Sequence, residues 1–259
     1  MTIYGQDGYA VRLEWGPDGV RELGADCAVL IIVDVLVFTT SVDVALGRGG
    51  RVLPLPWRDE RAEEAARAAG AVLTRSGLRR SEVGFDAQRT SERWTLRPSS
   101  LVNLPEGTLL AMGSVNGGTL CAAAASTGAT VLAGCLRNAG AVAKAARKLA
   151  GDRPVGVVPG GERWHHTADR GLRPSVEDLL GAGALVRAMA APGCSPEAEL
   201  AALTYAAVAD RVPEVLAGSV SGRELAHAGV PVDVTLAGDV GASDIVPLLT
   251  DGVFQPWTG

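Results

Sequence analysis

An apolar run in this chain stops on a carboxylate. Val29-Leu30-Ile31-Ile32-Val33 carries no polar side chain and is followed at once by Asp34. Such a run reads as a strand buried on both faces of a parallel sheet. Thr39, Thr40 and Ser41 come within the next turn and read as the start of a helix over 40–48. Open α/β sheets bind ligands outside the carboxyl ends of their strands, and helix N-termini there favour anions. Asp34 is therefore the first candidate for chemistry.

Three later strands end in polar turns of the same kind. The segment 108–112 leads to Ser114, Asn116 and Gly117; 130–134 leads to Arg137 and Asn138; 155–158 leads to Glu162 and Arg163. On one shared rim these ends would present carboxylates, backbone N–H groups and arginines. That set suits a phosphate-bearing anion with a divalent cation. Glu177 and Asp178 fall in the first turn of a helix, where they either complement its dipole or point to a metal. Asp239 and Asp244 flank Gly241-Ala242-Ser243, as turn formers or as hard oxygen ligands suited to Mg2+.

Other chemistries find no support. There is no Walker A sequence. A second aspartate two residues after Asp34, as haloacid-dehalogenase chemistry needs, is replaced by Leu36, and Gly113 to Gly118 lacks dinucleotide-fingerprint spacing. His165, His166 and His227 have neither triad nor ligand spacing and read as surface residues. Cys27, Cys121, Cys135 and Cys194 are scattered, as buried structural thiols are.

The elements that must position these residues alternate between strand and helix. A strand over 9–15 is followed by a turn at Gly16-Pro17-Asp18-Gly19, strand 28–34, helix 40–48, strand 51–55, helix 59–69 and strand 71–74. A polar, irregular stretch spans 76–106. Strand 108–112, helix 119–126, strand 130–134, helix 138–150 capped by Asn138 and strand 155–158 follow. Helices over 175–189, with Ser175 as N-cap, and from Ser195 to about Asp210 come next, with strand-like segments at 231–236 and 245–249. The alternation predicts a three-layer α/β/α fold with a largely parallel or mixed central sheet, in a single domain over 1–259. The net charge of -5 and only two lysines, Lys144 and Lys148, argue against a nucleic-acid footprint. With no membrane-length apolar run and no signal-like N-terminus, a cytoplasmic protein is expected. Ala/Gly-rich helices at 119–126 and 181–189 fit either a subunit interface, as in a homodimer, or packing inside the core.

These stretches together resemble the 2-phosphosulfolactate phosphatase family, from about Trp15 to Phe254. The matching motifs occur in order: Val33 to Thr40, Ser114-Val115-Asn116-Gly117-Gly118-Thr119, Gly134-Cys135-Leu136-Arg137-Asn138-Ala139, Gly161-Glu162-Arg163-Trp164, Leu172-Arg173-Pro174-Ser175-Val176-Glu177-Asp178, Ser221-Gly222-Arg223-Glu224-Leu225, and Asp239 to Pro247. The resemblance implies an α/β/α fold and Mg2+-dependent hydrolysis of 2-phospho-3-sulfolactate to 3-sulfolactate and phosphate. It places Asp34, Glu177, Asp178, Asp239 and Asp244 on the family's acidic positions, which makes them the candidate metal ligands. Catalytic roles then fall to Asp34, Asn116, Arg137, Arg163 and Glu177, and substrate contacts to Thr39, Thr40, Ser114, Gly117, Asn138 and Glu162. Direct attack by water and a covalent aspartyl-phosphate at Asp34 both fit these residues. Where relatives carry an arginine, this chain has Val37, and two family cysteines are absent at 158–160 and 180–183. These departures motivate an alternative: a binding protein for a phosphorylated or sulfonated acid that keeps the fold without turnover.

Overall fold

Short runs of apolar residues become the strands, and the central ones are covered on both faces. The computed structural model describes residues 3–75, 94–164 and 171–259. In chain order the strands are β1 (Val11–Leu13), β2 (Val29–Val33), β3 (Arg51–Leu55), β4 (Val72–Leu73), β5 (Leu109–Gly113), β6 (Thr130–Gly134), β7 (Val155–Pro159), β8 (Glu162–Arg163), β9 (Leu172–Arg173), β10 (Pro247–Thr250) and β11 (Val253–Pro256). Nine of them form one mixed, mostly parallel sheet in the order β1-β7-β2-β6-β10-β11-β3-β5-β4, while β8 and β9 pair separately. The groups β1-β7-β2-β6 and β3-β5-β4 are each parallel. The antiparallel C-terminal hairpin β10-β11 is inserted between them.

The helices are α1 (Gly16–Gly24), α2 (Phe38–Gly47), α3 (Glu60–Ala68), α4 (Pro98–Leu101), α5 (Gly117–Ala125), α6 (Ala139–Ala150), α7 (Val176–Met189), α8 (Pro196–Ala206), α9 (Val212–Gly218), α10 (Val220–His227) and α11 (Pro231–Ala237). The period of two along β2 sorts them into layers. Val29, Ile31 and Val33 pack with residues of α6, α7 and α8. Leu30 and Ile32 pack with residues of α1, α2 and α5. This is the expected three-layer arrangement, and it explains why β2 has no polar position. Small residues allow close approach between layers: a Cβ on Gly183 of α7 would overlap the Ala201 carbonyl of α8. The four cysteines are free thiols, and burial pushes Cys27 and Cys135 up to about 12.

Several local expectations are corrected. Gly16 to Gly19 is not a turn but the first turn of α1. Pro17 is tolerated there because its missing N–H has no intrahelical role at that position, and Val20 and Leu23, three apart, bury one face. Residues 231–236 form α11 rather than a strand. Pro231 starts it, and Val230, Val234 and Ala237 are buried at helical spacing. Part of the stretch read as an irregular loop is packed: Trp94, Leu96, Leu101 and Leu104 join the core on the α2 side, and the Ser41 hydroxyl donates to the Leu96 carbonyl (2.6 Å). The remainder of that stretch, 76–93, and His165 and His166 lie outside the described residues. Neither Asn138 nor Ser175 caps a helix through its side chain. Ser195 does, accepting from the Ala198 N–H (3.2 Å). Among the described residues no helix is long and apolar enough to cross a membrane.

Candidate active site

The turn after β2 is wrapped around its own backbone. The Thr39 N–H and hydroxyl both donate to the Asp34 carbonyl (2.7 and 2.8 Å), and the Thr40 hydroxyl donates to the Val35 carbonyl (2.8 Å). Thr39 and Thr40 are fully buried, so their hydroxyls serve the turn. The Asp34 side chain, 5% exposed, points instead to two helix starts. Its Oδ2 accepts from the Gly117 N–H at the first residue of α5 (2.8 Å), and its Oδ1 faces the Phe38 N–H at the start of α2 (3.5 Å).

Gly117 is required by this contact. A Cβ there would overlap the Phe38 ring and stand 2.8 Å from Asp34 Oδ2. Gly117→Ala is expected to cost about 1–3 kcal/mol in stability by overpacking. It should also lower kcat/KM by roughly 100-fold, since a small displacement of reacting groups is enough for that. Chemical denaturation and phosphate-release kinetics on the purified variant check both values.

Three further carboxylates surround Asp34. Glu177 and Asp178 are buried in the first turn of α7. Glu162, on β8, accepts from the Asn116 amide through Oε2 (3.1 Å). Burial, then the Glu162 charge, pushes Asp34 up to about 7; the Gly117 and Phe38 N–H groups oppose this and Glu177 adds to it. Burial also raises Glu162, against the Asn116 amide and the Arg173 guanidinium, with Glu177 again adding to the rise. Asp178 is raised by burial, by Asp34 and by Glu177. Its two oxygens are both occupied: Oδ1 accepts from the Val35 N–H (2.7 Å) and Oδ2 from the Gly161 N–H (2.8 Å). Asp178 thus ties the end of β2 and the turn between β7 and β8 to α7.

The structure therefore brings together Asp34, Asn116, Gly117, Glu162, Glu177 and Asp178. The shared rim holds for β2, β6 and β7, which are adjacent and parallel. The strand β5 lies beyond the inserted hairpin and contributes through Asn116 and the start of α5. Arg163 is half-buried on β8, beside Glu162. Ser114 is buried where β5 ends. Asn138 is used locally, its Oδ1 accepting from the Cys135 N–H (2.8 Å).

Arg137, Asp239 and Asp244 are placed differently. The Arg137 Nε donates to Asp43 Oδ2 (2.8 Å), and its Nη1 donates to the Leu236 carbonyl (3.1 Å) and to Asp239 Oδ2 (3.3 Å). The Ser243 hydroxyl completes this network with a 2.6 Å bond to Asp43 Oδ1. The guanidinium is thereby neutralised where it pins the 236–243 loop to α2. Asp244 is exposed. Among the described residues no hydrogen bond or ion pair joins these three residues to the Asp34 cluster.

Two participants escaped the sequence reading. Asp43 is a single charge in the apolar run Val42-Asp43-Val44 of a helix, which is the cue to a buried partner. Arg173 lies opposite Glu162 in the β8–β9 pairing, a cross-strand relation that spacing along the chain does not reveal.

Among the described residues no group of three or more His, Cys, Asp or Glu side chains is arranged to close on one metal ion by itself. That still fits Mg2+, which takes one or two carboxylates and completes its shell with water and substrate phosphate oxygens. Asp34 and Glu177 offer hard, buried oxygen donors of that kind. Residues 17–252 match the model of the 2-phosphosulpholactate phosphatase family. The chain belongs to that family, whose members are phosphoric monoester hydrolases.

Proposed function

We propose that this member of the 2-phosphosulpholactate phosphatase family hydrolyses 2-phospho-3-sulfolactate to 3-sulfolactate and phosphate, with Mg2+ as its cofactor, as a cytoplasmic enzyme. One observation carries the reading. Asp34 and Glu177, buried beside helix N-termini, and the half-buried Glu162 of β8 are gathered in one site, with their mutual repulsion uncompensated by any ion pair among the described residues. An anionic phosphoester cannot approach such a cluster unless a cation offsets it.

Asp34 and Glu177 are the residues to hold that ion, which when bound supplies positive charge and Lewis acidity to the phosphoryl oxygens. The Gly117 N–H fixes the Asp34 carboxylate, and the positive ends of α2 and α5 face the same space. Asn116 orients Glu162, and Arg163 stands beside it to balance charge developing on the phosphoryl group. Burial and the neighbouring carboxylates raise the Asp34 carboxyl in the metal-free protein, and it returns to the ionised form that holds the ion when a cation is bound beside it.

Phosphate release from 2-phospho-3-sulfolactate, 2-phospholactate and an aryl phosphate, with Mg2+ and with excess chelator, tests the reading. Release restricted to the Mg2+ samples, with the sulfonated substrate fastest, is expected. Equal rates in chelator would remove the metal from the mechanism. A preference for either other substrate would remove phosphosulfolactate.

A further inference from the structure

Beside the Asp34 cluster stands a cation that acts on the Glu162 carboxyl across the β8–β9 pair but is held by no carboxylate in an ion pair among the described residues. Arg173 is half-buried on β9. Among the described residues it has no ion pair. Its Nη2 donates to the Ser221 hydroxyl on α10 (3.2 Å), and its guanidinium lies over the Trp164 ring, 5.8 Å from the centroid. Both partners are neutral, so they orient the group and leave its charge and most of its five N–H donors for something else. Arg137 is the opposite case, with Asp43 and Asp239 both bound to it.

The position of Arg173 follows from a chain of contacts. Gly117 binds Asp34, and the adjacent Asn116 binds Glu162. Glu162 in turn faces Arg173 across the β8–β9 register. Asn116 and Gly117 thus tie Asp34 to Glu162, and Glu162 is the neighbour of Arg173 across the β8–β9 pair. Arg173 is therefore set apart from Asp34 by Glu162, where a second anionic group of a substrate held at Asp34 is the group it would meet.

We infer that Arg173 is the specificity-determining residue that binds the sulfonate of the substrate, with Ser221 and the Trp164 ring as its positioning residues. This rests on phosphosulfolactate being the substrate. A planar fork of N–H donors matches a tetrahedral oxyanion face. A sulfonate suits an arginine beside carboxylates because it stays ionised at every pH at which the protein folds.

The test compares wild type, Arg173→Met, Arg173→Lys and Ser221→Ala in two measurements. The first is kcat/KM for 2-phospho-3-sulfolactate divided by that for 2-phospholactate. Arg173→Met is expected to lower this ratio roughly 10- to 100-fold, the worth of a charge-assisted contact, chiefly through KM. Arg173→Lys should recover part of it, and Ser221→Ala should lower it roughly 2- to 10-fold. Equal losses on both substrates, or losses confined to kcat, would overturn the assignment in favour of a role at the phosphoryl group or in folding. The second measurement is calorimetric binding of 3-sulfolactate and of lactate in the presence of Mg2+, which needs no turnover. Wild type binding 3-sulfolactate more tightly, with Arg173→Met losing that advantage, supports the assignment even where phosphosulfolactate is not hydrolysed and the substrate reading has failed. Wild type binding the two acids alike overturns it.

Discussion

Asp34→Asn is expected to lower kcat/KM by about 1,000-fold or more while making the metal-free protein more stable at pH 8. The activity loss follows from removing a charged oxygen that holds the ion and meets the phosphoryl group, at a site where charge stabilisation is the main work. The stability gain follows from the environment of Asp34. Its carboxyl loses a proton near 3.8 when unfolded, but only at about 7 in the folded, metal-free protein. Between those values the folded state binds more protons than the unfolded state, so stability falls as pH rises from about 4 to about 7. Above that window the loss is complete. Asparagine carries no charge, so the variant escapes this loss; its carbonyl still accepts the Gly117 N–H (2.8 Å), and its NH2 displaces only the long Phe38 N–H contact (3.5 Å). Melting curves at pH 5 and pH 8, with and without Mg2+, measure the effect. Wild type should melt at least a few degrees lower at pH 8 than the variant, and Mg2+ should raise wild type and leave the variant nearly unchanged. A wild-type protein that gains stability between pH 5 and pH 7 without metal, through this site, would contradict a buried and mutually repelling set of carboxylates around Asp34.

The candidate site was legible where function and local pattern coincide. A fully apolar strand ending on an acid marked Asp34; the glycines after β5 read as a turn with a helix from 119, whereas α5 starts at Gly117 itself. The layer architecture followed from the same signal, because β2 can lack polar positions only if helices cover both its faces. Legibility failed wherever the deciding contact lies far along the chain. The insertion of the β10–β11 hairpin between two parallel groups depends on pairings such as Leu248 with Leu132 and Phe254 with Val52, which no local pattern encodes. Arg137 looked like an anion-binding residue at a strand end, yet Asp43, 94 positions away, takes its charge. Gly-Pro-Asp-Gly looked like a turn because each residue favours one, but Pro17 and Asp18 are equally at home in a first helical turn. The buried face through Val20 and Leu23 decided the matter.

Asp178→Asn is expected to destabilise the protein by about 2–4 kcal/mol, a drop in Tm of roughly 5–15 °C. Both oxygens of Asp178 accept from backbone N–H groups, those of Val35 and Gly161. An amide offers one oxygen, so its NH2 would face a buried N–H that has no other acceptor in this contact. A protonated Asp178 would still accept through both oxygens, more weakly at the hydroxyl. Two opposing demands therefore act on this residue: burial and the charges of Asp34 and Glu177 favour the neutral acid, while the N–H donors favour the carboxylate. Whichever form dominates, both N–H donors keep an acceptor in wild type, and the amide of the variant removes one of the two. The same contacts hold the end of β2 against the turn that carries Glu162, so the spacing between Asp34 and Glu162 depends on Asp178. Activity should accordingly fall about 10-fold in Asp178→Asn at temperatures where the variant remains folded, with KM and kcat both affected. A variant that melts within about 1 °C of wild type would mean that Asp178 is a metal ligand first and a tie between elements second, and Mg2+ affinity, measured by calorimetry, would then be what the substitution removes.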